Sequence, residues 1–286
     1  MTVGSIVSVD WLQNHISDEN VRVIDASWQL PPAGRGGKDE FLAEHIPGSV
    51  YFDIDECSTK GPLPHTLPTA NHFVEYIGNL GIRETDHVVV YDANGWFSAA
   101  RVWWMLRHFG SESVSVLDGG FAAWRQAGLA VEAGDVQVIP KQYLSRSEEG
   151  FKRLNFVETE QVLAASKNDA SQIVDARSSS RFHAVEKEFR PNLRSGHIPS
   201  SLNVPFADLI DNGFMKPDAE LERLFASAGV EKGKPVITSC GSGVTAAILI
   251  LALEKIGFDD VSLYDGSWTE WGSNQNLPIE PNESPS

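Results

Sequence analysis

The chain has 286 residues, 42% hydrophobic and 22% charged, which is the balance of a globular protein with one large or two medium domains. Its 23 basic and 39 acidic side chains give a formal net charge of −16 with no Lys/Arg block, which argues against nucleic acid or an anionic membrane as partner. Two cysteines exclude a disulfide framework, no Cys/His cluster has the spacing of a zinc site, and no apolar run approaches the ~18 residues of a bilayer span; a cytoplasmic protein without metal or cofactor is expected.

In chain order, Met1 to Ser5 shows no basic or long apolar segment, so no secretory leader is expected. Val21-Arg22-Val23-Ile24-Asp25-Ala26 is the first of four landmarks that return later in the chain. Glu44-His45-Ile46-Pro47-Gly48 is the second. Asp55-Glu56-Cys57-Ser58-Thr59 is a polar loop with no helix behind it, so Cys57 is expected to be an inert thiol. Val88-Val89-Val90-Tyr91-Asp92 is the third landmark, followed by a helix whose Trp103 and Trp104 suit core packing. Leu117-Asp118-Gly119-Gly120-Phe121-Ala122-Ala123-Trp124 is the fourth. Residues 140–155 are polar and lack periodicity, as an exposed linker does.

Beyond that stretch the landmarks recur in the same order. They are Gln172-Ile173-Val174-Asp175-Ala176-Arg177, Gly196-His197-Ile198-Pro199, Pro235-Val236-Ile237-Thr238-Ser239-Cys240 and Tyr264-Asp265-Gly266-Ser267-Trp268-Thr269-Glu270-Trp271, displaced by 147 to 152 positions. The chain is two copies of one domain. Short β-branched runs such as Ile173-Val174 and Val236-Ile237 read as buried strands. The segment from Pro217 to Phe225 places Leu221, Leu224 and Phe225 on one helical face, and Val244 to Ile256 is a nearly all-apolar helix. Strands alternating with helices predict an α/β fold with a mostly parallel sheet, whose sites lie at the carboxyl ends of strands.

One such end carries chemistry. A strand ends at Ser239, Cys240-Gly241-Ser242-Gly243-Val244-Thr245 follows, and a helix opens at Ala246. Small residues let successive N–H groups curl inward as a nest, and the helix adds its unsatisfied N–H groups and positive end. Such settings favour a thiolate over a thiol, so Cys240 is the candidate nucleophile. In the first copy Asp92 stands in its place, which predicts a domain without a nucleophile. A phosphatase loop would carry Arg six residues after its cysteine, where this chain has Ala246.

The tandem copies and the Cys240–Ala246 loop resemble the rhodanese family of sulfurtransferases over essentially the whole chain. Phe52-Asp53-Ile54-Asp55, Arg101-Val102-Trp103-Trp104-Met105, both His-Ile-Pro turns and Tyr264-Asp265-Gly266-Ser267-Trp268 support the resemblance. It implies two tandem rhodanese-like domains, each a mostly parallel sheet flanked by helices: a non-catalytic copy over 1–139, the linker over 140–155 and a catalytic copy over 156–286. The loop is most similar to members that use 3-mercaptopyruvate as sulfur donor. What this implies is a ping-pong reaction in which Cys240 takes the sulfur as a persulfide and releases pyruvate. A thiophile (cyanide, a small thiol, a thioredoxin-like protein) then removes the outer sulfur.

The resemblance also assigns roles. Arg181 and Arg190 match the substrate-binding positions, the loop backbone at Gly241, Gly243, Val244 and Thr245 would cradle the anion, and Ser242, His65 and Asp55 match a proton relay. Arg177 and Arg194 are expected on the solvated surface, and Trp268 and Trp271 are candidates for the pocket wall. Related enzymes that prefer the thiosulfate dianion carry basic side chains just after the cysteine. Here those positions are Gly241 and Ser242, which favours a monoanionic ketoacid. Thiosulfate as donor and a non-enzymatic persulfide carrier stay open as alternatives. The chain departs mildly from the family pattern over 182–187.

Overall fold

The computed structural model describes residues 3–29, 36–93, 96–111, 113–144 and 155–281. Two compact units emerge. Unit 1 gathers 1–59, 67–154 and 212–215; unit 2 gathers 60–66, 155–211 and 216–286. In unit 1 the order is β1 (Ile6–Val7), α1 (Val9–His15), β2 (Val21–Asp25), α2 (Gly37–Ala43), β3 (Val50–Tyr51), α3 (Ala70–Asn79), β4 (His87–Tyr91), α4 (Ala99–His108), β5 (Ser113–Leu117) and α5 (Gly120–Gln126). The second copy runs β6 (Asn155–Val157), α6 (Thr159–Ala165), β7 (Gln172–Asp175), α7 (Ser179–Phe182) and β8 (Leu202–Asn203). After the short strands β9 (Ile210–Asp211) and β10 (Phe214–Met215) come α8 (Asp218–Ser227), β11 (Val236–Ser239), α9 (Ala246–Lys255), β12 (Val261–Tyr264) and α10 (Ser267–Ser273).

The repeat in the sequence is a repeat in space. Unit 1 holds a five-stranded sheet in the order β1-β5-β4-β2-β3, and unit 2 one in the order β6-β12-β11-β7-β8. Every pairing within these two sheets is parallel. Bonds at the strand ends recur as well: Ala26 N–H to Tyr91 O and Ala176 N–H to Ser239 O are both 2.8 Å. Each His-Ile-Pro turn is bridged to the end of its own copy, His45 to Glu132 and His197 to Glu280. These bridges give both turns a structural role.

Helices cover both faces of a parallel sheet, so its central strands are buried on both sides. Accordingly every residue of β4 and of β11 is buried. The helix α9 is apolar around its circumference and buried from Ala246 to Leu253, which makes it a core element. Each Leu or Ile buried there contributes ~1.5–3 kcal/mol. On α4, Trp103 and Trp104 are fully buried in the core.

The domain boundaries differ in detail from a division along the chain. Lys141 to Leu144, expected in the linker, belong to unit 1. Lys141 N–H bonds Gly78 O at 2.9 Å, Tyr143 Oη meets Ser111 Oγ at 2.8 Å, and Leu144 N–H bonds Glu84 Oε2 at 3.0 Å. Tyr143 is the reason, since its ring is buried edge-on against Phe73. The remaining linker positions 145–154 lie outside the described residues, and Asn155 already opens β6. Among the described residues no helix is long and apolar enough to cross a membrane.

Candidate active site

The loop after β11 sits at the carboxyl end of a central parallel strand and leads directly into α9. Cys240 lies in it, 1% exposed. Residues at the start of α10 hold the loop in place. Ser267 Oγ accepts the N–H groups of Cys240 and Gly243, both at 3.1 Å, and donates to Tyr264 O at 2.8 Å. Trp268 N–H bonds Cys240 O at 2.9 Å, while Thr269 donates to Gly241 O from its N–H at 2.9 Å and its Oγ1 at 2.6 Å.

With its carbonyls and ends fixed in this way, the loop keeps other amides for a ligand. The N–H groups of Gly241, Ser242, Val244 and Thr245 have no acceptor among the described residues. Together with the positive end of α9 they form a cup suited to an anion. Gly243, expected to contribute its amide to that cup, commits it to Ser267 instead. Its φ of +74° is the left-handed turn that lets the loop close.

Two guanidinium groups converge on the same place. A Cβ added to Gly241 would lie 3.4 Å from Arg181 Nη2 and 3.5 Å from Arg190 Nη1. Arg190 is held by Thr269 Oγ1 at 3.3 Å and Ser242 Oγ at 3.4 Å. Burial lowers its pKa from the ordinary arginine value; Cys240 pulls upward against this, Arg181 pushes further down, and Glu188 pulls up. The Phe189 ring lies 4.9 Å from Arg181 and 5.0 Å from Arg190, within cation–π range of both.

Arg181 is fixed by Glu188, with Nη2 to Oε2 at 2.6 Å and Nε to Oε1 at 3.3 Å. The same carboxylate takes Arg177 Nη1 at 2.8 Å, and Arg177 in turn grips Asp175 Oδ2 through Nη2 at 2.6 Å and Nε at 2.9 Å. Burial works against the Arg177 charge, but Asp175 and Glu188 outweigh it and hold the group above its ordinary pKa. Three guanidinium charges against two carboxylates leave one positive charge in the cluster beside Cys240.

Several sequence expectations need correcting here. Arg177 is not a surface residue: its side chain is 1% exposed and stacks over Trp268 at 4.4 Å. Arg194 is also engaged, bonding the carbonyls of Gly272 at 3.1 Å, Leu277 at 3.0 Å, Trp271 at 3.2 Å and Asn274 at 2.6 Å, which ties down the C-terminal end of α10. Trp268 and Trp271 are fully buried core residues whose Nε1 atoms bond Arg194 O and Pro278 O.

Within unit 2, two members of the expected relay meet. His65 belongs to unit 2, is buried, and places Nδ1 3.1 Å from Ser242 Oγ. Asp55 belongs to unit 1, where its Oδ2 accepts Trp28 Nε1–H at 2.8 Å. In the position corresponding to Cys240, Asp92 Oδ2 accepts the N–H groups of Ser98 at 2.9 Å and Ala99 at 2.8 Å. A fixed carboxylate thus caps α4 in the first copy.

Glu188, Ser267 and Thr269 were not singled out from the sequence. For Glu188 the one local signal is its place two residues before Arg190. For Ser267 the signal is the repeat itself, since its counterpart is Gly120.

A family model described as a rhodanese-like domain matches residues 8–127 and again 158–274. The chain is 44% identical over 283 residues to a 3-mercaptopyruvate sulfurtransferase of Escherichia coli K12, covering 98% of this chain and 99% of the relative. It is 41% identical over 304 residues to an Arabidopsis thaliana mitochondrial thiosulfate/3-mercaptopyruvate sulfurtransferase, covering all of this chain and 80% of the relative. The crystal structure of a 3-mercaptopyruvate sulfotransferase from Escherichia coli superimposes with a TM-score of 0.84 at 42% identity, covering 93% of this chain and 99% of that one.

Proposed function

The chain belongs to the rhodanese-like family, and from that premise we propose that unit 2 transfers sulfur from 3-mercaptopyruvate to a thiophilic acceptor through Cys240. The Cys240 thiolate attacks the donor's sulfur. An S–S bond forms, the donor's C–S bond breaks, and its electron pair stays with the carbon as the enolate of pyruvate. A proton then converts the enolate to pyruvate. We assign that proton transfer to Ser242 Oγ, a reading supported by its 3.1 Å distance from His65 Nδ1. The cup of loop amides steadies the persulfide. In the second half-reaction an acceptor thiolate attacks the outer sulfur, the S–S bond breaks, and Cys240 leaves as thiolate.

The observation that carries this reading is the convergence of Arg181 and Arg190 over Gly241 beside a cysteine loop with no charged side chain of its own. The carboxylate and ketone of a ketoacid match two planar guanidinium forks. Glu188 compensates one of the two charges, which suits a monoanion better than the thiosulfate dianion. We assign the chemistry to the second copy and a supporting role to the first. The acceptor is a small thiol or a thioredoxin-like protein, and a reducing cytoplasm would keep both free cysteines reduced.

Intact-mass and peptide mass spectrometry test the reading after mixing with 3-mercaptopyruvate and no acceptor. The expected product is protein heavier by one sulfur atom located on Cys240, with pyruvate released in equal amount. Pyruvate release from Cys240→Ser at the wild-type rate would refute it.

A further inference from the structure

The two copies provide an internal control at the residue that closes the catalytic loop. In unit 1 the residue opening α5 is Gly120, with φ +56°, and a Cβ there would come within 2.5 Å of Asp92 O. In unit 2 its counterpart Ser267 opens α10 with φ +49°. The next residue makes the same bond in both copies, Phe121 N–H to Asp92 O at 3.2 Å and Trp268 N–H to Cys240 O at 2.9 Å. The backbone at this position favours glycine, and the copy with the cysteine carries a strained serine instead.

The serine hydroxyl accounts for that strain. Ser267 is fully buried, and its one oxygen accepts the amides of Cys240 and Gly243 while donating to Tyr264 O. It ties both ends of the Cys240–Gly243 turn to one point. In unit 1, Asp92 instead accepts the N–H groups of Ser98 and Ala99 with its own carboxylate. A cysteine that must react cannot be used in that way, so a hydroxyl from the next helix takes over.

We propose that Ser267 is a positioning residue for the reaction: it acts through Cys240, holding the loop so that the amides of Gly241, Ser242, Val244 and Thr245 converge on the sulfur. The proposal rests on Cys240 being the nucleophile of the proposed function and adds what keeps it reactive.

The test compares Ser267→Gly and Ser267→Ala with wild type by donor kinetics, thermal unfolding and iodoacetamide labelling of Cys240 read by peptide mapping. In Ser267→Gly the relief of left-handed strain offsets the lost hydrogen bonds, so the thermal midpoint stays within about 3 °C. Its kcat falls about tenfold with KM changed less than about twofold, and Cys240 labelling slows by a similar factor. Ser267→Ala keeps the strain and loses the bonds; it shows the same slowing with a lower midpoint. Wild-type rates in Ser267→Gly would overturn the proposal. So would a midpoint lowered by about 8 °C or more in step with the rates, because Ser267 would then serve the fold alone. If wild type turned over no donor, the proposed function would fall, and the labelling rates would still decide the role of Ser267.

Discussion

Cys57 and Cys240 are both buried free thiols, and what surrounds them separates their chemistry. Burial pushes the Cys57 thiol up to about 12, with Arg101 pulling back and Asp53 adding to the rise. Cys240 has loop amides, a helix end and two guanidinium groups beside it. Brief iodoacetamide treatment at pH 8 should therefore label Cys240 and leave Cys57 unmodified, which peptide mapping checks. Glu188 is the other decisive residue, since its carboxylate is 1% exposed and bridges Arg177 and Arg181. Glu188→Gln would leave two guanidinium groups short of a buried counter-charge. It should cost about 3 kcal/mol in urea unfolding and raise the donor KM as Arg181 loses its anchor. Cys240 is singled out by the strand–loop–helix around it, whereas Arg181 and Arg190 come only from the resemblance to the family. Glu188 is not legible in the sequence, because its role exists only once folding sets Arg177, eleven positions earlier, against it.

At the scale of elements, β2 and β7 are the same strand in two copies, and each ends in a buried Asp. Asp175 is neutralised by Arg177, whereas Ser27 stands in that place in unit 1 and offers Asp25 hydrogen bonds, its N–H to Oδ1 at 2.8 Å, but no charge. Burial raises Asp25 to about 6 from 3.8, against the pull of its Ser27 hydrogen bonds. The folded chain therefore holds this proton more tightly than the unfolded chain. Its contribution to stability is complete below about pH 4 and is lost as pH rises through about 6, a change of about 3 kcal/mol. Asp25→Asn keeps the acceptor oxygen. In urea unfolding it should gain stability relative to wild type between pH 4 and pH 7.5; a constant difference across that range would contradict this. The repeat of elements and the strand–loop–helix around Cys240 were legible because period and landmark order survive without coordinates. The burial of Arg177 was not, because a lone arginine after a strand gives no sign that two carboxylates will surround it.

At the scale of the whole molecule, one domain design occurs twice, and the loop that carries Cys240 belongs to the second copy. The first copy ends its corresponding strand in a carboxylate that caps its own helix; the second leaves a sulfur there and surrounds it with donors. The doubling and the parallel sheets could be read from the chain. The exchange of short segments, 60–66 counted with unit 2 and 212–215 with unit 1, could not, because composition along a chain does not report which core a loop joins. That exchange is what puts His65 in the same unit as Ser242. Cys240, served by Arg181 and Arg190, is proposed to take sulfur from a monoanionic ketoacid. The most direct test is kcat/KM for 3-mercaptopyruvate and for thiosulfate, with cyanide as acceptor, in wild type and Cys240→Ser. The expected result is a preference for 3-mercaptopyruvate of at least about tenfold, corresponding to about 1.4 kcal/mol in the transition state, with turnover of both abolished in the mutant. A preference for thiosulfate, or pyruvate release that survives in the mutant, would contradict it.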